Sequence, residues 1–506
     1  MNHIGRLPQL EMEVNEERVA EEKASFLGEV RVQQRLSMPS LCELKFFYPV
    51  GNFPDTSPFK IGALLNLTMK GSPPELFRGQ ITAVNYLYDP SQGYELRIRA
   101  YDKLHQLRKR QPVRAHVQIT LPDLIRELVQ DLGLTVQATE SGPLWPRVIQ
   151  YDQSDLDVIL EVAERCGLYV TLQGTVLHVL SLEGFDEVIP LVYGKDLFEV
   201  HLEVNGDSTC RTVTTTGWDP WRITNHEGQA SVARVGRRVK AHVTPDSLGS
   251  PGQNYLMNQA LQDDQQAEAI AQGELDRRSA SEVWLWGMAE GNTKLRPGTR
   301  IDVHGVAPDL EGQYVITSIN HTIDASKGYL AEIFTLPPVR PTRKPGAMVS
   351  VGTVTSLEDP ESLGRVQVAL PAFGDVESDW MEMVSPVAGP GKGFVMLPEI
   401  GDKVLVLFAQ DDAAQGVVMG CLFGTHGLPK EVEQDDPREC YSLLTPGKQH
   451  IRLDDSRKRL RLEDAEGSFI ELSPEHLLLH AKTHLTIEAP GQPIVIRGNT
   501  IDFEQA

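Results

Sequence analysis

Three histidines, His476, His480 and His484, recur at four-residue spacing near the end of this 506-residue chain. On a helix that spacing would set them on one face, where they could ligate a metal ion. Their neighbours argue for a strand instead. Leu477, Leu479, Ala481, Leu485 and Ile487 take the odd positions, so alternation turns the histidines together toward solvent. The carboxylate pairs Asp411-Asp412 and Asp454-Asp455 could in principle do acid and base work, but they fall at turns, where Asp is favoured for local hydrogen bonding. Cys42, Cys166, Cys210, Cys421 and Cys440 are widely spaced, form no Cys-x-x-Cys and have no nearby histidine to complete a zinc site, so buried free thiols are expected. His321 and Cys166 have no partner at useful sequence range, and no Gly-x-Ser-x-Gly, His-Glu-x-x-His or Walker sequence occurs. The expectation is therefore no catalytic residue, no cofactor and no metal.

The elements around those histidines are short alternating strands: His450 to Asp454, Arg459 to Glu463, Phe469 to Ser473, Glu475 to His480, His484 to Glu488, Val495 to Arg497 and Ile501 to Phe503. Each has one apolar and one polar face, and strands this short enclose no core and leave edges that need covering. Further copies of the same chain are the simplest cover, with Ile470, Leu472, Leu477, Leu479, Leu485 and Ile487 facing inward.

A net charge of −22 argues against a nucleic-acid partner, which calls for clustered Lys and Arg. The first residues, Met1 to Pro8, lack the apolar run of a signal peptide, and no stretch approaches the ~20 apolar residues of a membrane span. Synthesis in the cytoplasm is expected. The length suits roughly three or four domains.

Pro337, Pro338, Pro341 and Pro345 mark an extended connector. Before it the pattern is mainly β: strands around Met38-Pro39-Ser40, at Phe77 to Val84, at Tyr94 to Tyr101 and again from Thr299 to Thr335. Helices are predicted from Leu121 to Asp131, from Ser154 to Cys166 with Ser154 as N-cap, and from Leu256 to Arg278 as an exposed amphipathic helix. After the connector, runs at Val351 to Leu357, Gly364 to Leu370, Trp380 to Val384, Phe394 to Leu397, Val404 to Ala409 and Val417 to Leu422 have the density of a small barrel. Its aromatics Phe373, Trp380, Phe394 and Phe408 are assigned to the core rather than to a base-stacking platform.

Three segments resemble a known family. Leu363-Gly364-Arg365-Val366-Gln367-Val368, then Gly393 to Val406, then Val418-Met419-Gly420 are similar to the OB (oligonucleotide/oligosaccharide-binding) barrel of VgrG and phage tail-spike proteins. Gln150 to Asp157 and Glu164 to Tyr169 resemble that family's hub signature. Leu295 to Gly298, Gly312 to Ile316, His321 and Gly328-Tyr329 resemble its late-control-protein version.

The resemblance implies a mainly β chain of tail-hub β-barrel domains with a few helices, an OB-fold barrel and a C-terminal intertwined trimeric β-helix needle. Its boundaries would be a hub at 1–336, a Pro-rich linker at 337–346, an OB-fold at 347–425, a connector at 426–448 and a needle at 449–506. It implies a homotrimeric hub and spike of a contractile injection system of the type VI secretion, myophage or antifeeding-prophage kind. The hub would seat on an Hcp-like inner tube among baseplate proteins, and the needle would meet the target membrane transiently. A PAAR-type tip protein would cover Ile501 and Phe503. Asn499 to Ala506 holds no histidine, so no tip metal is expected. Some phage spikes carry a lysozyme between barrel and needle, which leaves a spike with peptidoglycan hydrolase activity as the alternative, but Phe423 to Thr445 is too short for one. The end of the chain soon after Phe503 favours a particle released outside the cell over a toxin-bearing type VI spike.

Overall fold

Alternation of apolar and polar residues dominates the chain, and it yields a mainly β molecule. The computed structural model describes residues 10–49, 56–89, 91, 93–219, 224–324, 326–339, 347–409, 412–424, 427–429 and 439–502. Residues 1–421 form one compact unit and residues 422–506 a second.

In the first unit, the strands Leu27–Arg35 and Leu41–Tyr48 form at the positions expected on either side of Met38-Pro39-Ser40. They lie at the middle of an eleven-stranded sheet. On one side, Ser318–Asp324, Gly328–Phe334, Val283–Glu290 and Leu197–Val204 follow in order; on the other, Gly93–Tyr101, Ser72–Asp89, Leu64–Met69, Leu10–Val14 and Glu17–Arg18. The sheet covers two separate cores, one around Phe46, Leu65 and Ile98 and one around Leu285, Tyr314 and Ile333.

A third core is built by the helices. After the one-turn α1 (Glu21–Ala24), the helices are α2 (Leu121–Val129), α3 (Asp155–Arg165) and α4 (Asp264–Glu282). Ser154 caps α3 reciprocally: its Oγ accepts from the Asp157 N–H at 3.2 Å, and the Asp157 carboxylate accepts from the Ser154 N–H at 3.0 Å. Leu156, Ile159 and Ala163 of α3 pack with Leu124, Leu128 and Trp145.

Three expectations are corrected. The predicted helix from Leu256 to Arg278 is a strand, Gln253–Ala260, followed by α4 from Asp264. The β-branched and aromatic residues that usually favour a strand are sparse there, and pairing with Thr212–Asp219 decides the conformation. Nor is α4 merely exposed, since Ala267, Ala271 and Leu275 are buried. In the barrel, Trp380 to Val384 makes only isolated bridges, and Phe394 to Leu397 forms no strand. Phe394 is exposed and Trp380 half-buried, whereas Phe373 and Phe408 are core as expected. Of the five cysteines, Cys421 is exposed and Cys210 half-buried, and only the other three are buried as expected.

The barrel strands Ala347–Ser356, Gln367–Leu370, Val376–Glu377, Lys403–Ala409 and Gly416–Leu422 form one sheet around Val366, Val368, Val404, Val406 and Phe408. A buried ion pair ties its Leu363-to-Val368 motif: the Asp359 carboxylate receives the Arg365 guanidinium at 2.7 Å and 3.1 Å. The same carboxylate takes the N–H groups of Glu361, Leu363 and Arg365.

The second unit is an antiparallel meander of Cys440–Leu444, His450–Asp454, Arg459–Glu463, Phe469–Leu472 and Leu477–His480. It opens at Cys440, within the stretch assigned to the connector. Residues 481–502 follow without strand pairing in the single chain.

Candidate functional site

Register makes the meander two-faced. Ile451 pairs with Leu462, Leu462 with Ile470, and Ile470 with Leu479; Leu453 pairs with Leu460, Leu460 with Leu472, and Leu472 with Leu477. Tyr441 and Leu443 extend the two rows through Leu453 and Ile451. Directly paired residues of an antiparallel ladder point to the same side. Ten side chains, all apolar or aromatic, therefore share one face.

Among the described residues, nothing in the unit covers that face. Eight of the ten are exposed, from 38% at Leu462 and Ile470 to 70% at Leu477, and Leu443 and Leu460 are half-buried. A shallow hollow of about 450 Å³ opens on the sheet between Leu443, Ile451, Ile470 and Leu479.

The opposite face carries a ladder of ion pairs. Glu471 receives Arg459 at 3.4 Å and Arg461 at 3.2 Å, and Arg461 also forks onto Glu463 with both bonds at 3.0 Å. The Arg461 guanidinium lies 3.7 Å above the Phe469 ring, which stacks on His480 at 5.0 Å. The Ser456 hydroxyl, with the Arg457 N–H, holds the Asp454 carboxyl below the ordinary carboxylate range. The charges of this face are thus paired within the sheet, with Asp454 and Glu471 buried among them, whereas the ten apolar side chains of the other face are mostly exposed.

Of the six residues expected inward, Ile470, Leu472, Leu477 and Leu479 lie together on the apolar face, while Leu485 and Ile487 are exposed in the segment without strand pairing. His476, His480 and His484 are all exposed, and His480 shares the charged face. Ile501 is 48% exposed; Phe503 lies outside the described residues. Sequence reasoning missed Tyr441, Leu443, Ile451, Leu453, Leu460 and Leu462. The signal was present, because the same alternation runs back to Cys440.

Elsewhere, His321 is engaged structurally and Cys166 is buried. His321, 1% exposed, donates from Nε2 to the Leu295 carbonyl at 3.1 Å, and its Nδ1 accepts from the Tyr329 hydroxyl at 3.1 Å. Burial pushes its pKa down to about 4, so the ring is neutral with the proton on Nε2. Burial pushes the Cys166 thiol up to about 12, far from a reactive thiolate. Among the described residues no group of three or more His, Cys, Asp or Glu is gathered as for a metal ion. No described helix is long and apolar enough to cross a membrane.

Known proteins share this architecture. Residues 350–423 match the family described as the Type VI secretion system/phage-baseplate injector OB domain. Residues 65–325, just over half of the chain, match the Alg8 N-terminal domain family. The type VI secretion system spike protein VgrG4b of Pseudomonas aeruginosa is 24% identical over 431 residues, covering 75% of this chain and 51% of the relative. The chain thus spans about half the length of that relative.

Two solved structures share the fold. The E. coli c3393 protein, described as a type VI secretion component similar to the bacteriophage T4 tail proteins gp27 and gp5, aligns with TM-score 0.52 at 13% identity over 78% of this chain and 96% of its own. A Francisella PdpA-VgrG complex chain aligns with TM-score 0.58 at 10% identity over 95% of this chain and 81% of its own. Through residues 65–325 the chain belongs to the Alg8 N-terminal domain family, and over three quarters of its length it is similar to a VgrG spike protein, with the injector OB domain matched at residues 350–423.

Proposed function

We propose that three copies of this chain form the central hub and spike of a contractile injection particle, acting mechanically and without catalysis. The observation that carries this reading is the uncovered ten-residue apolar face. Full burial of one such side chain contributes ~1.5–3 kcal/mol, and these are already about half covered, so closing the face yields roughly 10 kcal/mol per chain. That is comparable with the ~4–15 kcal/mol cost of association, and two contacts per chain in a closed ring share it.

Three such sheets, apolar faces inward and charged ladders outward, make a prism whose walls are each one chain. Residues 481–502, with alternating Leu485 and Ile487 and no strand partner of their own, would pair between chains and continue the needle. The hub would cap an Hcp-like inner tube amid baseplate proteins. A PAAR-type protein would sit on Ile501 and Phe503, and the needle would press on the target membrane. The particle would be assembled in the cytoplasm and act outside the cell.

Sedimentation equilibrium of the full chain tests the assembly. The expected mass is three times the 56.2 kDa chain. A stable monomer at micromolar concentration would overturn the reading.

A further inference from the structure

Capping of α3 accounts for Ser154 and Asp157 in the hub-signature stretch, but not for its other residues. Four side chains in and around that stretch reach the barrel. The strands Arg114–Ile119 and Trp145–Gln150 pair as a two-stranded ribbon just before α3. At its end Ile149, 7% exposed, belongs to the barrel core together with Val368, Phe373 and Phe408, and Ala115 packs against the same cluster.

Tyr151, the next residue but one, meets the Phe373 ring edge-on at 4.7 Å, and Phe373 meets Phe408 edge-on at 5.6 Å. The Arg147 guanidinium donates to the Glu377 carbonyl. From the last turn of α3, Arg165 lies with its guanidinium carbon 4.2 Å over the Trp145 ring and reaches Asp412 of the barrel at 3.3 Å. It also donates to the Ala260 carbonyl at 3.1 Å. Gly374 leaves room for Val113, whose side chain would stand 3.2 Å from a Cβ there.

We infer that this ribbon, the Tyr151 turn that follows it and the C-terminal end of α3 clamp the barrel onto the hub as one rigid body, so that thrust between them passes through this contact and not through the Pro-rich connector. A tether carries tension, whereas thrust is compressive and needs surfaces in contact. The barrel core is also completed by Ile149, so the barrel is left with an apolar gap when the hub is absent. The inference goes beyond the spike reading and does not need it: its test follows two fragments of one chain and involves no injection particle.

A protease site placed between Pro341 and Pro345 of the full chain, cut after purification, separates the covalent link. The hub fragment and the barrel-bearing fragment are expected to co-elute on size exclusion. Separation of the cut wild-type chain would overturn the inference. Asp412→Arg puts like charge against Arg165, and the cut variant is expected to come apart at a lower urea concentration than wild type; an unchanged urea midpoint for dissociation would also sink it. Tyr151→Ser combined with Asp412→Arg should release the barrel fragment outright. Circular dichroism of the uncut variants reports whether each remains folded, and the single Asp412→Arg chain, altered only at a loop carboxylate, carries the test if the double variant does not.

Discussion

Gly167 and Gly273 meet backbone to backbone: a Cβ on Gly167 would fall 2.3 Å from the Gly273 Cα, and one on Gly273 would fall 2.5 Å from the Gly167 Cα. Gly167 follows the C-cap of α3 and Gly273 lies within α4, so the pair sets how closely the two helices approach. Gly167 also has φ +68°, a left-handed conformation that costs other residues ~1–2 kcal/mol. Gly167→Ala should lower stability by about 3 kcal/mol, combining that strain with overpacking. Gly133, at φ +61° with nothing within 4 Å of where a Cβ would stand, is the control: Gly133→Ala should cost only ~1 kcal/mol. Thermal or urea unfolding distinguishes the two.

Leu479→Asp should abolish the trimer, because three carboxylates would enter an apolar interior without counter-charge. His480→Ala, one residue along on the charged face, removes the stack on Phe469 and should leave the mass unchanged. Light scattering after size exclusion reads both. Equal behaviour of the two variants would mean that the inward face is wrongly assigned.

The hub should lose stability on mild acidification through His321. Its folded pKa, about 4, lies below the ~6.5 of an unfolded histidine, so its contribution is complete above pH 6.5 and is lost as pH falls toward 4. A full shift of this size corresponds to roughly 3 kcal/mol. His321→Gln should be less stable at pH 7.5 yet show a shallower decline between pH 6.5 and 4.5, measured as the urea midpoint at each pH.

The barrel should respond at lower pH. Arg365, with three backbone N–H groups, holds the Asp359 carboxyl well below the usual range, so that contribution is complete above pH ~4 and fades as pH falls further. Both side chains are nearly inaccessible, 3% for Asp359 and 5% for Arg365. Asp359→Asn leaves the buried arginine with only the exposed Glu361 carboxylate, 3.1 Å away, as a charge partner and should cost about 2 kcal/mol at neutral pH. Hydrogen exchange at Val366 and Val368 would localise the loss.

Much of this molecule could be read from residue order. The N-cap at Ser154, the turn at Met38-Pro39-Ser40, the shared apolar face of the four leucine and isoleucine positions from Ile470 to Leu479, and the solvent-facing histidines all follow from local rules of capping and period-two alternation, which need no knowledge of distant neighbours. The rest depended on contacts far apart in sequence. Gln253–Ala260 is a strand because Thr212–Asp219 lies beside it. Phe394 looks like core in sequence and is exposed, because alternation gives no sign of which apolar runs find a partner within the chain.

The tail shows the division most clearly. Sequence determined that it has one apolar face. Tertiary structure decided that residues 440–480 satisfy their ladder hydrogen bonds within one chain, so that what they lack is cover for a face rather than partners for every edge. It also decided that Tyr151, in the turn ahead of α3, and Arg165, in its last turn, reach the same barrel, since local rules place the helix but packing alone chooses what the side chains around it touch.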